Sequence, residues 1–317
     1  MSQTLDDLMT QSPTFDLDAL MKSVAANPPE TVQDMRELLD RIGAMLNTGL
    51  PEVGAFHEKV PVREVGGTTV TTDVVVPKGP GPHPILVYLH GGGWICGSPA
   101  THRKLAHRFA EAGYLVFNVD YRLAPEHPFP APFEDCVHAV RWAAAEAERF
   151  GGDPTRLALG GDSAGGNLSA AVAAALANDP SAPRISAVLL LYGVFDFAGM
   201  EPRDSDDPLY EVGGKLVELM VGSYLGPDRS ATLLADPRVS PIHAAEKLPP
   251  AHIVVGDLDP LVGDAQALAE ALEKSGVPHE HVVVEGMPHG FAQMEFLPPA
   301  RESIDRMIAF LRKHLTD

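Results

Sequence analysis

From about Phe56 onward the chain alternates short apolar runs with longer stretches whose apolar positions recur at helical spacing. The runs at 59–64, 70–77, 85–90, 114–120, 156–160, 187–192, 251–256 and 281–285 predict eight strands, because most are apolar and bounded by turn-forming residues. Helical patterns lie between most of them, at 101–112, 133–150, 166–178, 264–275 and 301–315. Strands alternating with helices predict an α/β fold, a mostly parallel eight-stranded sheet covered on both faces. The first two strands are joined only by Gly66-Gly67, too short for a crossover, so that pair is expected to be an antiparallel hairpin.

Two stretches depart from this rhythm. Val32, Met35, Leu38, Leu39, Ile42, Met45 and Leu46 recur at helical spacing, and Gly49 and Pro51 close the segment. With a shorter pattern at 17–24 they make residues 1–50 a helical segment ahead of a catalytic domain at 51–317. Later, nearly sixty residues separate the strand ending at Tyr192 from the one starting at Ala251, far more than a βα connection needs. This stretch holds a helical pattern at 211–225, with Leu216, Leu219 and Met220, inside an insertion at about 197–232. Ligands of open α/β sheets bind at the carboxyl ends of the strands. The insertion is expected there, forming a helical cap with the N-terminal segment; a place on the far side is the alternative.

Composition narrows the classes. With 317 residues and nearly half of them apolar, the chain can bury a large core, as one α/β domain or two. A net charge of -19 argues against nucleic acid or an anionic membrane as partner, since phosphate binding needs clustered Lys and Arg. Cys96 and Cys136 make neither a disulfide framework nor a zinc site, and the thirteen histidines contain no metal-binding motif. No metal and no cofactor is expected. The polar, acidic start and the lack of a long apolar run point to the cytoplasm, without a membrane partner.

The chemistry enters with Gly161-Asp162-Ser163-Ala164-Gly165, set between a short apolar run and an Ala-rich helical stretch. That is the context in which Gly-x-Ser-x-Gly forms a nucleophile elbow. By itself the pattern arises in roughly one such chain in ten, so it needs company, or it is an ordinary strand-to-helix turn. A second run, His90-Gly91-Gly92-Gly93-Trp94, follows a strand with three residues lacking side chains, whose N–H groups can turn toward an oxyanion. A phosphate-cradling loop would end in Gly-Lys-Ser/Thr, which is absent. Third, acids at Asp257 and Asp259 follow one late strand and His289 follows the next. The chain order Ser, Asp, His is that of an α/β-hydrolase.

Taken with Asp120-Tyr-Arg-Leu-Ala-Pro-Glu126, Asp259-Pro-Leu261 and His289-Gly-Phe291, these motifs resemble the hormone-sensitive-lipase family of bacterial esterases. The subgroup reading Gly-Asp-Ser-Ala-Gly is the nearest. The likeness runs from about His83 to the C-terminus, and residues before that carry no motif. It implies an α/β-hydrolase fold and hydrolysis of short- to medium-chain acyl esters, a small-molecule substrate. Ser163 would be the nucleophile, His289 the general base and acid, and Asp259 the residue orienting His289. Asp257 and Asp264 compete for the third role, and the Asp-Pro-Leu context favours Asp259. The oxyanion hole would be the N–H groups of Gly92, Gly93 and Ala164, with Gly91 serving the turn. Arg122 and Glu126 are expected to hold their loop by ion pairing.

Trp94, Tyr192, Phe195 and Phe291 flank the motif loops and either line a substrate pocket or pack the core. Cys96 reads as a small buried filler. Family habit also makes a homodimer a candidate. Two rivals stay open: an amidase using the same triad, and a non-catalytic receptor of the kind that binds gibberellin in plants. The receptors alter the triad histidine, whereas His289 stands in its His-Gly-Phe context here.

Overall fold

The computed structural model describes Val24 and residues 26–199, 208–227 and 229–315. Apart from Val24, the pattern expected at 17–24 lies outside the described residues. The strands are β1 (Ala55–Val65), β2 (Thr68–Val76), β3 (His83–Leu89), β4 (Leu115–Asp120), β5 (Gly152–Asp162), β6 (Ile185–Leu191), β7 (Ala251–Gly256) and β8 (His279–Val284). They form one eight-stranded sheet in the order β1-β2-β4-β3-β5-β6-β7-β8. β2 runs antiparallel to β1 and β4, and every other neighbouring pair is parallel. The Gly66-Gly67 hairpin therefore forms as expected, with both glycines at positive φ (58° and 80°).

The helices are α1 (Val32–Leu46), α2 (Arg103–Glu111), α3 (Ala131–Glu146), α4 (Ala164–Leu176), α5 (Pro208–Leu225), the single turn α6 (Ala231–Leu234), α7 (Val262–Ser275) and α8 (Pro298–His314). The pattern at 133–150 overran: α3 ends at Glu146 and a tighter turn carries on to Phe150, where Gly151 at φ 81° reverses the chain. β1 and β5 begin about four residues earlier than their apolar runs suggest. Pairing sets those ends: Ala55 faces Val76, and Gly152 faces His83.

The middle of the sheet is dry. Ile85, Leu86, Val87, Tyr88 and Leu89 of β3 and Leu157, Ala158 and Leu159 of β5 have no exposed surface. Burying such an aliphatic side chain contributes about 1.5–3 kcal/mol. Parallel strands covered on both faces read as unbroken apolar runs, which is why the sequence pattern finds them. Among the described residues, no helix is long and apolar enough to cross a membrane.

Helix α1 starts on a capping box, Thr31 with Asp34, and lies against the loops above the sheet. Its Arg36 donates to the Ile95 carbonyl (2.8 Å) and the Ala124 carbonyl (3.1 Å) and forks onto Glu126 (2.6 and 2.9 Å). Arg122 instead pairs with buried Asp135 (2.7 and 2.9 Å). The ion pairs of the 120–126 loop thus reach outward, to α1 and α3.

Candidate active site

Ser163 sits at the reversal between β5 and α4 with φ 52° and ψ -119°. An L residue rarely adopts this backbone, and holding it costs on the order of 1–3 kcal/mol. The surroundings enforce it. The Ser163 N–H donates to the Leu191 carbonyl (2.8 Å), and the Asn167 N–H donates to the Ser163 carbonyl (3.1 Å). A Cβ on Gly161 or Gly165 would run into the Leu89 carbonyl oxygen. Those two glycines are thus required by the close passage of β3, which explains the motif physically.

His289 comes to the same point from the loop after β8. Its Nε2 lies 2.9 Å from Ser163 Oγ, and its Nδ1 lies 2.8 Å from Asp259 Oδ2. The Asp259 side chain is fully enclosed and its Oδ1 accepts from the Leu261 N–H (2.8 Å). The other two acids stand elsewhere. Asp257 accepts from the Gly286 N–H (2.7 Å). Asp264 accepts from the Phe195 (2.5 Å) and Asp196 (3.1 Å) N–H groups, and burial pushes it up to about 7. Burial alone would lower His289, but the bond and charge of Asp259, with the charge of Asp162, raise it above its ordinary value.

The glycine loop after β3 faces the elbow. Gly92 and Gly93 take φ 125° and 58°, and the Ile95 and Cys96 N–H groups fold back onto the Gly92 carbonyl (3.1 and 3.0 Å). Among the described residues, the N–H groups of Gly92, Gly93 and Ala164 donate to no acceptor. Gly91 differs from expectation. It is not at positive φ; a Cβ there would strike the Asp162 carboxylate, so close approach and not the turn demands glycine. Tyr121 supports the loop from behind, donating to the His90 carbonyl (2.6 Å) with its ring stacked on His90. Cys96 is buried, with its thiol on the Gly92 carbonyl (3.0 Å), and burial pushes it up to about 12.

Of the four aromatic candidates, Tyr192, Phe195 and Phe291 have no exposed surface and Trp94 retains 3%. Tyr192 meets His289 edge-on (5.0 Å), and Phe291 lies against Tyr192 (5.6 Å). Trp94 stacks on Tyr224 of α5 (4.6 Å), and Met220 of α5 occupies the space where a Gly93 side chain would stand. Helix α5 therefore lies over the glycine loop. Met220 was visible in the helical pattern, but nothing in the sequence aimed it or Tyr224 at the loop. His102, which meets Asp162 of the elbow, and Gln293, which meets His102, belong to no motif and were missed.

Residues 86–293 match the family described as α/β hydrolase fold. The chain is 38% identical over 239 residues to the carboxylesterase NlhH of Mycobacterium tuberculosis, covering 73% of this chain and 74% of that one. It is 35% identical over 240 residues to an ethyl acetate hydrolase of Pseudomonas putida, covering 73% of each. A hyperthermophilic esterase from the archaeon Pyrobaculum calidifontis superposes with a TM-score of 0.83 at 30% identity, over 94% of this chain and 97% of that one. This chain belongs to the hormone-sensitive-lipase-like group of the α/β-hydrolase family.

Proposed function

We propose that the protein is a serine carboxylesterase acting on short- to medium-chain acyl esters through an acyl-enzyme. The observation that carries this reading is the relay from Ser163 Oγ to His289 Nε2 (2.9 Å) and from His289 Nδ1 to Asp259 (2.8 Å). His289 takes the Ser163 proton as the hydroxyl attacks the ester carbonyl. The N–H groups of Gly92, Gly93 and Ala164 receive the oxyanion, and removing one such donor typically costs about 10²–10³ in turnover. His289 then protonates the leaving alcohol, and water releases the acid by the same route. Asp259 orients the ring and stabilises the imidazolium. These residues supply every proton and charge the steps need, without a cofactor.

In this reading residues 1–50 and the insertion at about 197–232 form the cap of a catalytic domain at 51–317. Helix α5 over Gly93, with its Tyr224 stacked on Trp94, supports a closed pocket suited to short acyl groups, whereas Tyr192, Phe195 and Phe291 have no exposed surface and pack the core behind the catalytic loops rather than line it. The elbow Gly161-Asp-Ser-Ala-Gly165 supports a place in the subgroup defined by that sequence. The β8 edge, with Val283 half exposed, is the candidate contact for a homodimer, and the free cysteines suit the cytoplasm. The test is a hydrolysis profile on p-nitrophenyl esters from acetate to palmitate, with an anilide alongside. We expect the highest kcat/KM at or below about eight carbons. A peak on palmitate refutes the pocket, preference for the anilide makes it an amidase, and no turnover on either leaves a binding protein.

A further inference from the structure

A buried polar knot lies directly beneath the reacting groups. The Asp162 carboxylate is almost enclosed, yet Oδ1 accepts from Tyr88 Oη (2.9 Å) and from the Gly91 N–H (3.0 Å), and the His102 Nε2 stands 3.1 Å away. Burial pushes Asp162 upward, but the charge and bond of His102, with the Tyr88 hydroxyl, bring it below its ordinary value. The other ring nitrogen of His102 meets Thr101 Oγ1 (2.8 Å), whose own hydrogen goes to the Ser98 carbonyl (2.8 Å). The Nε2 edge also meets the Gln293 side-chain amide at 2.7 Å, four residues beyond His289. The motif histidine, His90, makes none of these bonds: its Nδ1 faces the Gly91 carbonyl and burial pushes it down to about 3.

We infer that His102 is a positioning residue, joining from below the three loops that carry the nucleophile, the oxyanion donors and the general base. Asp162 precedes Ser163 in the chain, Gly91 precedes Gly92, and Gln293 ends the turn that begins after His289. The ring of His102 turns its Nε2–H to the first (3.2 Å), and the same nitrogen stands 3.3 Å from the N–H of the second and 2.7 Å from the side-chain amide of the third. Its position at the head of α2 anchors the knot to a helix packed on β4. A shift of about 1 Å among reacting groups costs on the order of 10²-fold in rate, so a side chain setting three loops at once acts on turnover. It does so without touching the substrate, and binding should change little.

The inference rests on the roles proposed above for Ser163, His289 and Gly92, and Ser163→Ala tests those separately. If the parent protein turns over no ester, that reading fails first. In His102→Leu we expect kcat on p-nitrophenyl butyrate to fall about 10- to 100-fold with KM within about two-fold. His102→Gln, whose amide reaches toward the Nε2 position, is expected to recover most of the loss. Gln293→Leu, which frees only the histidine loop, should lower kcat about three- to ten-fold. Thermal unfolding of each variant separates rate from folding. If a leucine beneath a buried carboxylate prevents folding, His102→Gln and Gln293→Leu decide. A folded His102→Leu with kcat within about two-fold of the parent overturns the proposal. Equal losses in folded His102→Leu and His102→Gln, or unchanged kcat in Gln293→Leu, overturn it too.

Discussion

The turn carrying Ser163 and the turn carrying His289 meet at 2.9 Å, yet they are held by different forces. At the elbow the backbone is jammed: Gly161 and Gly165 have no room for a methyl group beside the Leu89 carbonyl. In the histidine loop, Gly286 and Gly290 look onto open space, and 38% of the His289 side chain is exposed. Polar side chains hold that loop instead. Asp259 orients His289, Gln293 bonds His102, and Glu295 is gripped by Arg108 (2.6 and 2.9 Å) and Lys104 (2.8 Å). Close packing fixes the strained Ser163, the proposed nucleophile, because it leaves no alternative conformation. Hydrogen bonds suit the proposed base, whose ring would gain and lose a proton while keeping its aim.

The contrast predicts different failures on the two sides. The largest effect should come from the reacting groups. Ser163→Ala should lower kcat about 10⁶-fold and Asp259→Asn about 10⁴-fold, with thermal unfolding within a few degrees of the parent. Retained turnover in Ser163→Ala would remove the elbow from the mechanism.

Next comes a pair of matched glycine substitutions. Gly165→Ala forces a methyl group into the Leu89 carbonyl and should cost more than about 3 kcal/mol in urea unfolding, or prevent folding. Gly290→Ala has space but a φ of 77°, so about 1–2 kcal/mol is expected. Similar costs at both sites would erase the distinction.

The smallest effect is on pH dependence. In the proposed mechanism His289 must be neutral to accept the Ser163 proton, and its environment raises its pKa. kcat/KM should therefore rise with pH through an inflection above about 6.5, the ordinary imidazole value. Asp259→Asn should move any residual inflection downward, since Asp259 supplies most of the upward push. Stability runs the other way. A raised histidine stabilises the fold fully below its unfolded value, and that contribution is lost as pH climbs through the folded value. Parallel pH profiles of rate and of unfolding would show the opposite trends, or contradict them.

Much of this was legible in the chain. Buried parallel strands announce themselves as apolar runs, and Gly-x-Ser-x-Gly appears because its glycines answer a local steric demand around Ser163. The strand ends at Ala55 and Gly152 were not legible, since their neighbours in the sheet set them. Nor was the purpose of Gly91, which depends on a carboxylate 71 residues away in sequence.

The sequence by itself determined the order of strands and helices and the antiparallel hairpin, and it named the Ser163, Asp259 and His289 that the proposed mechanism uses. These follow from local patterning, in which neighbours along the chain report which face is buried. The tertiary structure brings to His289 the Asp259 that its Asp-Pro-Leu context favoured, and only the tertiary structure decided that His102 meets Asp162 and Gln293. It also decided that α5 lies over Gly93. Those are contacts between distant segments, and a hydrogen bond carries no signature in the residues that flank it.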